Sequence, residues 1–383
     1  MQQLKIGVAG LGRGFTLMLP TFKRDPRIAL VAAAEPRADA REQFGREFEG
    51  KTYVAVEDLC GDPAVDVVYV ATPHQLHAEH AALAAKAGKH LLVEKPMAIS
   101  IRECQAMIAA ARAGKVQLIV GHSHSFNAPV ARARALVESG QYGKPRMINA
   151  LNYTDFVYRP RRPEEHDTAQ GGGVVFSQAA HQVDIVRLLV GSPVTNVRAF
   201  VGAWDASRGM DGAYTALLGF DSGAAASLTY SGYGHFDTDL FQDWIGEMGQ
   251  KKETGRQQLP TFASATEEAA YKQSRNYGGA NFRASDAAPQ AHQNFGTVIV
   301  SCERADLRLM PDGVIVYRNG ETQLDRLPPP SIPRVEVIDE LYGAVVNNVA
   351  PKHSGEWAMA TLEVCLAMLQ SSHENREIRL VGK

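Results

Sequence analysis

Cysteine is scarce in this 383-residue chain. Cys60, Cys104, Cys302 and Cys365 lie far apart, with no CxxC pair. That excludes a disulfide-framed scaffold and a cysteine zinc module, and predicts reduced thiols in the cytoplasm. Apolar runs are short: Ile28–Ala34, Leu188–Val190 and Val298–Val300 fall far below the roughly 20 residues that cross a bilayer. Charge of one sign is missing too. Lys+Arg 40 against Asp+Glu 42 leaves a net −2, which argues against nucleic-acid binding by bulk electrostatics. The N-terminal stretch Leu4–Ala9 reads as a strand rather than as a signal peptide. No internal repeat is visible. A hydrophobic content of 45% supports a sizeable core, and the length predicts two or three domains.

Over the first 120 residues two periods alternate. Short apolar runs at Ile6–Ala9, Ile28–Ala34, Val65–Ala71, His90–Val93 and Val116–Val120 flank helical spacings such as Gln75–Ala87 and Ile101–Ala113. Gly88 and Gly114 follow those two helices as left-handed caps. Continuous apolar strands are buried on both faces, so residues 1–121 read as a doubly wound α/β domain with a parallel sheet. Beyond it, Arg146–Thr154, Val194–Ala203, the pair Thr215–Phe220 and Ala224–Ser231, and the pair Leu307–Met310 and Val314–Tyr317 predict a mostly antiparallel sheet. Helices are expected at Asn127–Gly140, Ser177–Val190 and Glu356–Ser372. Residues 122–383 thus form a second α/β domain. Its polar stretch 235–294, without strand period, reads as an insertion.

Four segments carry chemistry. Gly10-Leu11-Gly12-Arg13-Gly14-Phe15 follows the first strand, where glycines let a backbone approach a pyrophosphate at a helix N-terminus. Phe15 stands where a third glycine is usual. Glu35 ends the next strand and suits the ribose hydroxyls of NAD, whereas Arg37 can attract the extra phosphate of NADP or stack on adenine. Thr72-Pro73, at the end of Val65–Ala71, can floor a nicotinamide site. His77 is a cofactor contact or a packing residue. Glu94-Lys95-Pro96 ends His90–Val93 and offers a lysine that can hold a substrate hydroxyl. After three glycines, Ser177, His181 and Asp184 fall on one helix face at i, i+4 and i+7. A histidine there can take a hydroxyl proton.

Together these segments resemble the glucose–fructose oxidoreductase/inositol dehydrogenase (Gfo/Idh/MocA) family, over nearly the whole chain outside 235–294. The resemblance implies a Rossmann domain, a C-terminal domain with a large open sheet, NAD or NADP, no metal, and dimers or tetramers formed through that sheet. It implies Lys95 as catalytic lysine, His181 as proton-transferring histidine and Asp184 as a substrate contact or orienter of His181. The family usually carries an aspartate where this chain has Ser177. Its arginine-containing stretch after the sixth strand reads Gly121-His122-Ser123-His124 here, which either lets His124 face the substrate or forms a simple polar loop. The loop Tyr158-Arg159-Pro160-Arg161-Arg162-Pro163 approaches the family's pocket, and its three arginines either suit carboxylates or form a solvated basic loop partly neutralised by Glu164 and Glu165. The stretch Gly12–Pro20 and Ser177 are also similar to the family's phthalate cis-4,5-dihydrodiol dehydrogenases. The expected activity is NAD(P)-dependent oxidation of a carboxylated cis-dihydrodiol to a catechol. The alternatives are a sugar or cyclitol dehydrogenase, a non-catalytic NAD-binding regulator, and an enzyme that cleaves glycosides through transient oxidation. The expected partner is a small molecule, with neither nucleic acid nor membrane.

Overall fold

The computed structural model describes residues 2–253, 261–284 and 289–380. Its first part has six strands: β1 (Leu4–Ala9), β2 (Ile28–Ala34), β3 (Lys51–Tyr53), β4 (Val67–Val70), β5 (His90–Val93) and β6 (Leu118–Val120). They pair in parallel in the order β3-β2-β1-β4-β5-β6. A parallel sheet needs cover on both faces. Leu4, Ile6, Val8 and Val67 enter one core beneath α1 (Arg13–Arg24) and α2 (Ala38–Phe48). Ala9, Val68, Val70 and Val93 enter the other beneath α3 (Val56–Cys60), α4 (His77–Lys86) and α5 (Ile101–Gly114). The strand order reverses between β1 and β4, which opens a crevice at their carboxyl ends. The cap of α5 differs from expectation. Lys115 takes the left-handed position, while Gly114 stays helical where a Cβ would meet the Ala85 carbonyl oxygen at 2.3 Å.

The second part runs α6 (Ala128–Glu138), β7 (Pro145–Tyr153), α7 (Ala180–Val190), β8 (Val194–Gly202), β9 (Ala213–Phe220), β10 (Ala225–Ser231), α8 (Ala265–Ser274), β11 (Thr297–Cys302), β12 (Asp306–Met310), β13 (Gly313–Arg318), β14 (Glu321–Arg326), α9 (Val335–Val346), α10 (Gly355–Glu374) and β15 (Ile378–Arg379). Its strands form one sheet, β14-β13-β12-β11-β7-β10-β9-β8-β15, antiparallel except where β7 meets β10. Alternation sorts its faces. Tyr214, Ala216 and Leu218 of β9 point inward to α6, α7 and α10, while Leu217 points out with Met147 and Phe200. The chain then returns to the first sheet: Val337, Ile338, Leu341 and Ala344 of α9 join the core of β1 and α1.

The stretch expected as an insertion holds a 3-10 turn at Thr238–Gln242 and helix α8; its residues 254–260 and 285–288 lie outside those described. Tyr277 from it packs edge-on against Phe15, ring centroids 5.2 Å apart, and donates its hydroxyl to Glu47. Among the described residues, no helix is long and apolar enough to cross a membrane.

Candidate active site

The turn after β1 is built for an anion. Gly10 has φ +91°, and a Cβ there would lie 2.9 Å from the Ala71 carbonyl oxygen. Gly12 precedes α1, and the first internal bond closes from Thr16 N–H to Gly12 O. The amides of Arg13, Gly14 and Phe15 therefore precede the helix's own acceptors and are available to a pyrophosphate. The Phe15 side chain is fully buried against Phe44 and Tyr277, so only its amide serves this end. Glu35 accepts from Leu11 N–H at 2.8 Å and from the Arg37 guanidinium at 3.1 Å. Arg37 also donates to the carbonyls of Leu11 and Tyr277, which ties it beside Glu35. These residues fit an NAD adenosine end.

At the ends of β4 and β5, Thr72 meets His80 at 3.0 Å, and Pro73 starts a short 3-10 turn. His77 does not reach the cleft. It is fully buried, with Nδ1 against Pro96 O at 3.0 Å and Nε2 against Thr72 O at 2.9 Å. The expected cofactor contact is thus replaced by a bridge between the two loops. Glu94 lies under Gly14 and accepts from the Tyr69 hydroxyl at 2.5 Å; burial raises its pKa. Lys95 donates to Ser177 O at 2.9 Å. Burial, with Arg334 and Arg161 nearby, lowers its pKa against the opposing pull of Glu94 and Glu247.

Ser177 offers that carbonyl because the helix begins wide. Residues Val175–Ala179 form a π turn before α7, and such turns free backbone groups at functional sites. Asp211 organises the entry by accepting from Val175 N–H and the Thr168 hydroxyl. His181 is 5% exposed and, at 3.4 Å, accepts from the His124 amide at Nδ1. Burial first, then Lys95 and the neighbouring histidines, drives its pKa well below the ordinary imidazole value. Asp184 departs from expectation. Ser125, Trp357 and Thr361 all donate to its carboxylate, so it braces α7 against α10 rather than orienting His181, and it lines a cavity together with Lys95.

Two further expected contacts are displaced. His124 is 1% exposed, with Nδ1 on the Asn127 amide and Nε2 on Glu247 at 3.2 Å, so it acts on His181 and not on a ligand directly. Arg162 is held by Glu164 and Glu165 within its own loop. Arg159 pairs with Asp155 at 2.9 Å and lies 3.8 Å from Glu247. Arg161 stacks on Phe156 at 3.7 Å, donates to Phe156 O and leaves its buried Nε without a partner; burial pulls its pKa down to about 10.

Several residues of this centre are not evident from sequence. Phe295 lies 4.8 Å from both the His124 and His181 rings. Glu247 brings a carboxylate; burial alone would raise it, but His124, Arg159 and Lys95 outweigh that and hold it below the usual range. Arg334 depresses Lys95, His181, His122 and Arg13. No periodicity marks these positions. A lysine with lowered pKa, a neutral histidine and a cationic wall beside an NAD-type crevice can perform proton-coupled hydride transfer.

Comparison with known proteins agrees. The family model "Oxidoreductase family, NAD-binding Rossmann fold" of GFO/IDH/MocA matches residues 4–122, and the GFO/IDH/MocA C-terminal domain matches 130–249. A 1-carboxy-3-chloro-3,4-dihydroxycyclohexa-1,5-diene dehydrogenase of Comamonas testosteroni is 47% identical over 376 residues, covering 96% of this chain and 94% of that protein. The scyllo-inositol 2-dehydrogenase (NAD(+)) of Bacillus subtilis is 29% identical over 254 residues, 64% of this chain and 72% of its own. A solved structure of a candidate dehydrogenase from Bordetella bronchiseptica RB50 superposes with TM-score 0.91 at 36% identity, covering 99% and 100% of the two chains.

Proposed function

The chain belongs to the GFO/IDH/MocA family of NAD-binding oxidoreductases, and we propose that this dehydrogenase oxidises a carboxylated cis-dihydrodiol, such as phthalate 4,5-cis-dihydrodiol, to the corresponding catechol. The observation that carries the reading is the chain of contacts from Arg159 through Glu247 and His124 to His181, with Lys95 held on the Ser177 carbonyl one turn before that histidine. The Comamonas relative supports it, since the compound in its name is a carboxylated dihydroxycyclohexadiene. Residues 1–121 hold the cofactor in this proposal and 122–383 the substrate.

Bound NAD supplies the hydride acceptor, nicotinamide C4. Lys95 is the base. As a neutral amine it keeps one N–H on Ser177 O and turns its lone pair to the substrate hydroxyl, whose proton it takes as the carbinol C–H leaves as hydride. His181, accepting at Nδ1, carries its proton on Nε2 and donates to the same oxygen. This reverses the division of labour that spacing suggests, in which His181 takes the proton. The ketone tautomerises to the catechol without further help.

The outer face of the second sheet, with Phe200, Leu217 and Met147 exposed, suits pairing of two or four copies. Four free cysteines suit the cytoplasm. The test is appearance of reduced nicotinamide on mixing protein and NAD with phthalate cis-4,5-dihydrodiol, myo-inositol or glucose. Turnover of the dihydrodiol alone supports the assignment; turnover only of inositol or glucose moves the enzyme to the sugar or cyclitol dehydrogenases.

A further inference from the structure

Among the described residues Arg334 is a buried cation without a counter-ion. It is 7% exposed and sits in the left-handed region, φ 54°, just before α9. Its Nε donates to Gln293 Oε1 at 3.2 Å, and its Nη2 reaches only the weak acceptor Met248 Sδ at 3.7 Å. Among the described residues no carboxylate lies within ion-pair distance. The nearest acids are otherwise engaged: Glu94 by the Tyr69 hydroxyl, and Glu247 by His124 and Arg159. Burying a guanidinium unpaired is expensive, and a fold that keeps one there has an anion to receive.

The neighbour of Arg334 shares this need. Gln293 spends its Oε1 on Arg334 and its backbone carbonyl on Asn127, and leaves Nε2 buried with no partner. Gln293 Nε2 thus stands without an acceptor on a side chain whose Oε1 holds a guanidinium that has no carboxylate partner among the described residues. A carboxylate has two oxygens to serve that amide and that guanidinium. The position adjoins the reaction centre: the Gln293 carbonyl accepts from the Asn127 amide, which also meets His124 Nδ1, and the His124 backbone N–H donates to His181. The pyrophosphate has its own seat at the start of α1.

We propose that Arg334 and Gln293 form the seat of a substrate carboxylate, and so select acidic diols over neutral ones. The inference rests on the dihydrodiol reading above and adds a second carboxylate seat outside the arginine loop.

The experiment compares phthalate cis-4,5-dihydrodiol with benzene cis-dihydrodiol, which lacks the carboxyl groups, on wild type, Arg334→Lys and Gln293→Met, with NADH affinity measured alongside. Arg334→Lys keeps charge but loses the fork. It should lower kcat/KM about ten- to a hundredfold more for the diacid than for the neutral diol, with NADH affinity little changed. Gln293→Met removes the unpaired amide together with the oxygen that holds Arg334 Nε; it should lower the diacid about tenfold or more, and it carries the test if the arginine variant folds poorly. Phthalate, as an unreactive competitor, should weaken in parallel. Equal losses on both diols would overturn the seat. Weakened NADH with both diols falling would assign the anion to the cofactor and also overturn it. A wild type that ignores both diols would remove the substrate assignment and the seat together. A wild-type preference that survives both variants would remove the seat alone.

Discussion

Acidification from about pH 7.5 to about pH 5 should cost the fold about 4–6 kcal/mol. His122 and His181 are 2% and 5% exposed, and burial drives both well below the ordinary imidazole value. His74 is pushed down to about 3, again chiefly by burial. In the unfolded chain such groups titrate at about 6.5. A depressed histidine lets the unfolded state bind more protons as pH falls, so stability present above that value is lost below it. Integrated over the interval, one fully depressed histidine costs about 2 kcal/mol, and the half-buried His74 costs less. Glu94, Asp211 and Glu336, raised by burial, act the other way at the acid end. Glu165 stays ionised throughout at about 2, because Lys272 and two arginines outweigh its burial. Domains are stable by only about 5–15 kcal/mol, so the loss is a large part of the whole. Urea unfolding followed by tryptophan fluorescence at the two pH values reads it directly. His122→Phe should remove about 2 kcal/mol of the pH dependence. A wild-type stability flat to within about 1 kcal/mol between the two conditions would refute the reasoning.

Lys95→Ala should lower turnover about a hundred- to ten-thousandfold while the NADH dissociation constant stays put; stopped-flow and binding titration check the two halves. Arg161→Ala should raise KM for a carboxylated diol about tenfold or more, whereas Arg162→Ala, which removes only local surface pairs, should change it little. Similar KM values for the two variants would show that the loop's arginines are not distinguished by their burial. Gly173→Ala should destabilise by about 3 kcal/mol or more, measured as a shift in urea midpoint. Residue 173 has φ +81°, and a Cβ would come within 2.2 Å of the Asp211 carboxylate.

The Rossmann half is legible because its strands are buried on both faces, so the apolar runs and the strands coincide: Ile28–Ala34 and His90–Val93 are expected and found at the same bounds. Strand β3 leaves no such run, being three residues at an edge with Lys51 and Thr52 exposed. Lys95 and His181 follow from motif and spacing, but the face of Asp184 does not. The π turn at Val175–Ala179 breaks the i, i+4 rule, and the partners of Asp184 stand on α10, Trp357 and Thr361, far along the chain. Arg334 and Gln293 are single polar residues in loops, where only tertiary burial separates a paired side chain from an unpaired one.

Glu247 is the sharpest case of that limit, and it yields a test of which group is the base. It lies in the polar stretch without period, yet it meets His124, 123 residues away, where the chain lacks the family's aspartate at Ser177. Its charge raises the pKa of Lys95, against burial, Arg334 and Arg161. Glu247→Gln keeps an oxygen for the His124 Nε2–H but removes the charge. The pKa of Lys95 must then fall further. If Lys95 takes the proton, kcat/KM rises with pH through that pKa, so the variant's inflection moves to lower pH than the wild type's. Its high-pH plateau should change only modestly, because a weaker base loses driving force as it gains population. If His181 were the base, loss of a nearby carboxylate would lower an imidazole already far below neutrality, and the profile above about pH 6 would not move. An inflection that stays in place therefore returns the proton to His181, and one that moves to higher pH contradicts both assignments.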